Sequence, residues 1–85
     1  MTYNVELTKS ALKDISKLRA AGLMEKALKI RNALIIDPYA PSYEKLTGDL
    51  LGKYSRRINI KHRLIYEVYE EQKLVRVLRM WSHYE

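Results

Sequence analysis

Apolar residues in the first half of the chain follow the period of a strand and then that of two helices. Residues 3–7 alternate between apolar and polar, which predicts a half-buried strand. Thr8 is a suitable N-cap for a first helix, and Gly22 is a natural end for it. A second helical stripe runs over residues 23–34, and it ends before Pro38 because the residue preceding a proline disfavours the helical conformation.

The second half of the chain changes to the patterns of strands. A long surface loop over residues 37–53 comes first; it contains both prolines and has room for a short turn or strand. Turns are expected at residues 59–62 and 70–72. The three predicted strands are Tyr54–Ile60, Arg63–Tyr69 and Lys73–Trp81. The last strand is apolar at both odd and even positions, so which of its two faces packs against the core stays open.

The order of these elements, β-α-α-β-β-β, predicts an α+β fold in which two helices pack on an antiparallel β-sheet. With 85 residues, the chain is expected to form a single domain over residues 1–85.

Cysteine is absent from the sequence, which excludes disulfides, thiolate metal sites and a cysteine nucleophile. No apolar run approaches the roughly 18–20 residues that a membrane span needs, and the N-terminal residues do not follow a signal-peptide pattern. We therefore expect a cytoplasmic protein that has no membrane partner.

Positive charge is concentrated in the middle of the chain. The formal net charge is +6, and residues 45–66 hold six basic residues against one acidic residue. A local basic patch of this kind favours a polyanionic partner such as RNA or DNA. The alternative is a basic surface that serves only solubility.

The parity of the predicted strands brings two arginines together. Ile58 and Ile60 are expected to share one face of their strand, with Arg57 on the other, and Arg63 lies opposite the apolar face of the next strand. If the strands pair as a hairpin, Arg57 and Arg63 converge on the open face of the sheet. Neighbouring guanidinium groups repel, and a phosphate between them would satisfy both. The alternative is that each arginine pairs with a surface carboxylate.

Two further residues could supply acid–base chemistry. Glu44 precedes the basic patch, and His83 follows the last strand, although taken singly each could be an ordinary surface residue. His62 falls in a predicted turn and is expected to have no role. RNA can be cleaved without a metal when a base activates the 2′-hydroxyl, an acid protonates the leaving oxygen and cations stabilise the phosphorane. Glu44, His83 and the two arginines could fill these roles, and no histidine-rich spacing suggests a metal site.

Several short stretches resemble one family of bacterial proteins. They are Glu44–Leu46, Tyr54–Ile58, His62–Tyr66 and the final pair His83–Tyr84. Together they are similar to the YoeB/Txe toxins of toxin–antitoxin pairs, within the RelE/ParE superfamily. The resemblance covers essentially the whole chain, and its most specific part is S-R-R-I-x-x-x-H-R-L-I-Y with a terminal H-Y.

This resemblance implies a ribosome-dependent endoribonuclease that cuts translated mRNA without a cofactor. It also implies a cognate antitoxin protein and contact with operator DNA through the antitoxin complex. By matching position, Glu44 would be the general base, His83 the general acid and Arg63 the group that stabilises the transition-state phosphate, with Arg57 assisting. Tyr84 would orient the substrate or stack on a base. The expected RNA-binding residues are Lys53, Tyr54, Arg56 and Arg57.

The chain departs from the family pattern at three positions. Lys45 stands where the family commonly has proline, Tyr54 takes the place of a tryptophan found in some relatives, and Glu85 extends the chain beyond the usual terminal tyrosine. The alternative function is a non-catalytic basic module that binds RNA or a partner within a toxin–antitoxin regulatory complex. Whether the free chain is a monomer or a homodimer stays open.

Overall fold

The computed structural model describes residues 2–40, 43–46 and 52–83, and in these residues the chain forms two helices and five strands. In chain order they are β1 (Asn4–Leu7), α1 (Lys9–Ala20), α2 (Met24–Ile36), β2 (Tyr43–Lys45), β3 (Tyr54–Arg57), β4 (His62–Tyr69) and β5 (Leu74–His83). The strands form one sheet in the order β1-β5-β4-β3-β2. Both helices contribute to one core with side chains from a single face of the sheet, which we call the helix face; the opposite one is the open face.

The helix ends lie where the sequence predicts them. The hydroxyl of Thr8 accepts the N–H of Ala11 at 3.2 Å, which satisfies an amide that the first turn of α1 leaves without an internal partner. The same hydroxyl donates to the carbonyl of Leu78 at 2.9 Å, so the cap also ties α1 to β5. Gly22 follows α1 with φ of 71°, a conformation that glycine adopts without strain. Pro38 follows the end of α2.

The predicted α+β class and the two helices on a sheet are confirmed, but the sheet is mixed. β1 pairs with β5 in parallel, whereas the other three strand pairs are antiparallel. Hydrophobic alternation specifies a strand but not its direction, and β1 is separated from β5 by both helices and three strands rather than by a hairpin turn. The predicted loop also contains β2, which pairs with β3 at the edge of the sheet, while residues 41–42 and 47–51 lie outside the described residues.

The turn between β3 and β4 begins earlier than predicted. Ile58 is buried but Ile60 is 87% exposed, and β3 ends at Arg57, so the expectation that the two share one face of a strand is wrong. The cause is the Asn59 side chain, which accepts the backbone N–H of His62 at 2.7 Å and closes the turn. His62 is the first residue of β4 rather than part of a turn.

A change of register decides which residues of β5 face the helices. Val75 and Val77 lie two positions apart and are buried, as expected for one strand face, but the next buried residue is Met80. The pairing of β4 with β5 shifts at two places near Ile65, and such bulges change the side-chain parity. The core therefore contains Ala11, Leu18, Ala27, Leu34, Ile58, Leu64, Tyr66, Val75, Val77 and Met80. Among the described residues, neither helix has the length and apolar character needed to cross a bilayer.

Candidate active site

The open face of the sheet gathers several of the predicted site residues at one end. Glu44 on β2 pairs with Ser55 on β3, which in turn pairs with Ile65 on β4. Two residues further along β3, Arg57 pairs directly with Arg63. Paired residues project from the same face of a sheet, so the strand registers place the carboxylate and both guanidinium groups on the open face.

Glu44 and Arg63 form an ion pair that spans the intervening strand β3. Nη1 of Arg63 lies 2.6 Å from Oε2 of Glu44. The two side chains differ in environment, because that of Arg63 is 16% exposed and that of Glu44 is 58% exposed. The carboxylate can therefore meet a substrate from solvent, while the arginine is held against the sheet beneath it.

Arg57 supplies a second cation beside this pair. The side chain of Arg57 is exposed, and it forms no ion pair with any residue in the described part of the chain. The prediction that Arg57 and Arg63 converge is confirmed by their direct pairing in the β3–β4 hairpin. The alternative of a surface carboxylate holds for Arg63 only, and that carboxylate is Glu44, a member of the same predicted set.

The backbone of β5 brings His83 to the same end of the sheet. In the β4–β5 pairing, Ser82 lies opposite Arg63 and His83 lies opposite His62. Residues facing each other across an antiparallel pair have Cα atoms roughly 4.5–5.5 Å apart. The backbone of His83 is therefore next to the strand position that carries Arg63. Tyr84 lies outside the described residues, so its predicted role stays a prediction.

Two of the expected RNA-binding residues lie on the helix face instead. Tyr54 pairs with Tyr66, whose side chain is fully buried, and their rings lie 5.6 Å apart. Tyr54 also contacts Tyr39 and Tyr43 edge to face, which forms a cluster of four tyrosines. Arg56 shares this face because it pairs with the buried Leu64. The structure thus does not bring Tyr54 or Arg56 together with Glu44 and Arg63.

Lys53 has a structural partner. Its Nζ lies 3.4 Å from Oε1 of Glu67, and both side chains are about three-quarters buried, with 27% and 22% exposed. Glu67 also accepts a hydrogen bond from the hydroxyl of Tyr69. A phosphate contact by Lys53 would therefore compete with an existing ion pair.

Two residues that sequence reasoning did not select hold the end of β5 in place. His62 is buried in β4 and its ring stacks on Trp81 with 3.7 Å between centroids, so the expectation that it lies in a turn is wrong. Asp14 is 2% exposed and accepts hydrogen bonds from β5. The available signal was a charged residue within the apolar stripe of α1, three positions after Ala11 and four before Leu18. The stacking of His62 leaves no comparable signal in the sequence.

In the portions of the chain that the structure describes, no three acidic, histidine or cysteine side chains are grouped so that they could hold a metal ion.

Comparison with known proteins identifies close structural relatives. A YoeB/ParE toxin from Agrobacterium tumefaciens superposes with a TM-score of 0.85 at 28% identity, covering 95% of this chain and 99% of that one. YoeB from Staphylococcus aureus, in a heterotetrameric YoeB–YefM toxin–antitoxin complex, gives a TM-score of 0.79 at 25% identity, covering 99% and 100% of the two chains. A YoeB dimer from the same organism gives 0.77 at 26% identity, with coverage of 99% and 100%.

Sequence comparison agrees with the structural comparison. A search of curated protein sequences finds no match. The sequence model of the family described as "YoeB-like toxin of bacterial type II toxin-antitoxin system", however, matches residues 8–84. This match covers nearly the full length of the chain, including β2, β3, β4 and β5, which carry the candidate active site. The fold also agrees with that of solved YoeB toxins. The chain therefore belongs to the YoeB-like toxins of bacterial type II toxin–antitoxin systems.

Proposed function

We propose that the chain is a ribosome-dependent endoribonuclease that cleaves translated mRNA and is neutralised by a cognate antitoxin. The observation that carries the proposal is the ion pair between Glu44 and Arg63 on the open face, with Arg57 beside it and the backbone of His83 at the same end of the sheet. A proton acceptor and two cations within reach of one phosphodiester are what metal-independent RNA cleavage requires.

The reaction assigns one role to each group. Glu44 takes the proton of the 2′-hydroxyl as its oxygen attacks the adjacent phosphorus. Arg63 and Arg57 bind the phosphate oxygens, whose negative charge grows in the transition state. The bond from phosphorus to the 5′-oxygen breaks, and His83 donates a proton to that oxygen. The products are a 2′,3′-cyclic phosphate and a free 5′-hydroxyl, and Tyr84 orients the substrate.

The ion pair must open for this reaction, and its exposure makes opening inexpensive. Pairs with an exposed member contribute only about 0.2–1 kcal/mol to stability, and the carboxylate of Glu44 is mostly in solvent. A phosphate that bridges Arg57 and Arg63 would replace the contact with two charge-assisted bonds. Arg63 would thereby move from the base to the substrate, leaving Glu44 able to accept a proton.

The shape of the site supports dependence on the ribosome. Glu44 and Arg57 lie on an exposed sheet face, so a larger body could hold the mRNA against them from the other side. Cleavage needs an in-line arrangement of the 2′-oxygen, the phosphorus and the leaving oxygen, and positioning of this kind can provide a large share of a rate enhancement. We expect free RNA to be cleaved poorly.

The partners follow the same proposal. A solved relative is YoeB in a complex with YefM, which supports a cognate antitoxin for this toxin. An antitoxin bound to Arg57 and Arg63 would cover the open face, and the pair would contact operator DNA through the antitoxin. The site of action is the cytoplasm, where translation takes place.

The experiment uses purified ribosomes carrying a short mRNA, with cleavage mapped by primer extension. Wild-type protein should cut within codons, and Glu44→Gln and His83→Gln should each slow cleavage by about 100- to 10,000-fold, the usual contribution of a general base or acid. Glu71→Gln is the matched control, because it removes an exposed carboxylate in the β4–β5 turn, away from the site.

The outcomes separate the proposal from its alternative. If folded wild-type protein binds programmed ribosomes but leaves the mRNA intact, the chain is a non-catalytic binding module. If free RNA is cut as fast as ribosome-bound mRNA, the ribosome dependence is wrong. If Glu71→Gln loses as much activity as Glu44→Gln, the assignment of Glu44 as the base is wrong.

A further inference from the structure

Asp14 is a carboxylate in an apolar environment. It lies on the inner side of α1 between Ala11 and Leu18, which are both fully buried, and only 2% of its own surface is exposed. Burial of a charged group is strongly unfavourable unless several hydrogen bonds compensate. Burial alone raises the pKa of Asp14, yet the hydrogen bonds from Arg79 and from the Met80 amide outweigh it, so the pKa lies below its usual value.

The compensating donors come from three successive residues of β5. Oδ2 of Asp14 accepts the backbone N–H of Met80 at 3.0 Å, the backbone N–H of Trp81 at 3.1 Å and Nε of Arg79 at 3.0 Å. Backbone amides in a regular strand donate to a neighbouring strand, and consecutive amides point in opposite directions. Two consecutive amides directed at one helix side chain therefore mark an irregular strand.

The pairing of β4 with β5 shifts by one residue at two places, between Ile65 and Tyr66 and between Arg63 and Ile65, and the second shift lies beside the residues that Asp14 contacts. Ile65 lies opposite Arg79, but Arg63 lies opposite Ser82, so two steps along β4 correspond to three along β5. Without this shift, His62 would face Ser82, and His83 would pass beyond the start of β4.

We propose that Asp14 is a positioning residue, which holds the irregular segment of β5 and so sets the register that brings the backbone of His83 beside Arg63. This inference rests on the proposed function, since it takes His83 to be the general acid. The stacking of Trp81 on His62 also stabilises this segment, but it acts through a side chain of β5, whereas Asp14 binds the backbone of β5.

Single-turnover cleavage on programmed ribosomes tests the inference. Asp14→Asn removes the charge that strengthens all three bonds, and we expect its rate at saturating ribosomes to fall by about 10- to 100-fold, the loss that a displacement of about 1 Å can bring. The ribosome concentration at half-maximal rate should not change, because Asp14 is not exposed to the substrate. Asp14→Glu retains the charge and should recover part of the lost rate.

Glu70→Gln provides the matched control. Glu70 also accepts several side-chain hydrogen bonds, from Tyr3, Tyr39 and Lys73, but it lies in the turn at the other end of β4. Its neutralisation should leave the cleavage rate unchanged. In amide NMR spectra, Asp14→Asn should shift the backbone signals of Met80 and Trp81, which Glu70→Gln should not.

The double variant separates this inference from the proposed function. If Asp14 acts through His83, then Asp14→Asn should lower the cleavage rate when it is introduced into the wild-type protein, but should cause little further loss of rate when it is introduced into the His83→Gln variant. A full additional loss in the His83→Gln background, or a wild-type rate for Asp14→Asn, would overturn the inference alone. A wild-type rate for His83→Gln would overturn the proposed function and the inference with it.

Arg79→Gln serves if Asp14→Asn does not fold. Arg79 is about half exposed, so its replacement leaves the core and both backbone bonds in place. We expect a fall in rate of about two- to fivefold, in line with the small energy of a partly exposed pair. An unchanged rate for a folded Arg79→Gln protein would then overturn the inference.

Discussion

Replacement of Arg63 by glutamine separates the catalytic role of this residue from its structural one. Arg63→Gln removes the guanidinium that lies 2.6 Å from Glu44 and keeps a polar side chain of similar reach. The stability contribution should be small, because more than half of the Glu44 side chain is in solvent. We expect the free energy of unfolding to fall by about 0.2–1 kcal/mol, the range measured for exposed pairs.

The effect on the reaction should be much larger than the effect on stability. A donor aimed at charge that develops in the transition state contributes about 100- to 1,000-fold in rate, or roughly 2.7–4 kcal/mol. Arg63→Lys keeps the charge but loses the planar fork that binds two phosphate oxygens, so its rate should lie between those of wild type and Arg63→Gln.

Two measurements on the same proteins check this prediction. Urea unfolding gives the change in stability, and single-turnover cleavage on programmed ribosomes gives the change in rate. Arg76→Gln is the control, since it removes an arginine from an exposed position of β5 that pairs with Glu67. A rate for Arg63→Gln within about threefold of wild type, which is less than 0.7 kcal/mol, would refute the assignment of Arg63 to the transition state. A loss of stability above about 2 kcal/mol would show that Arg63 is mainly a structural residue.

Three further predictions concern the scaffold. The buried hydroxyl of Tyr66 donates to the carbonyl of Pro38 at 2.7 Å, so Tyr66→Phe should lower the free energy of unfolding by about 1–3 kcal/mol in urea titrations, and an unchanged midpoint would contradict the importance of this bond. The hydroxyl of Ser55 is buried and, within the described residues, has no hydrogen-bond partner, so Ser55→Ala should be neutral or stabilising by up to about 1 kcal/mol; a clear loss in thermal unfolding would show that the hydroxyl is bonded. The hydrogen bond from Tyr39 has the largest effect on Glu70, and together with the bonds from Lys73 and Tyr3 it lowers the pKa of Glu70 from 4.5 to about 2. Because this folded-state pKa is depressed, Glu70 adds stability above pH 4.5 that is lost as the pH falls toward 2, and Glu70→Gln should flatten the pH dependence of unfolding in that window.

Much of the local structure could be predicted from short-range chemistry in the sequence. Thr8 caps α1 and Gly22 follows its end, because a side-chain oxygen and a left-handed turn are requirements of the helix itself. The convergence of Arg57 and Arg63 was also predicted from the alternation within two strands, on the condition that these strands pair as a hairpin, which they do.

The prediction that Ile60 shares a strand face with Ile58 failed because the side chain of Asn59 closes the turn before the alternation can continue. Tyr54 was expected near the RNA, but its strand parity places it with Tyr66 against the core. A hydrogen bond of the Asn59 side chain decided the first outcome, and the side of the sheet on which the core lies decided the second.

The distant contacts of the site were decided by the tertiary structure alone. Glu44 and Arg63 are 19 residues apart and meet only because β2 joins the edge of the sheet beside β3. Asp14 reaches the end of β5 across 66 residues of sequence, and the register shift that it accompanies has no signature in the strand's own pattern. The amino-acid sequence by itself determined which segments are helix or strand and which side chains carry charge, because these depend on neighbours along the chain. Strand order, strand direction and register depend on which surfaces the whole chain buries together, and these decided which charges share one face.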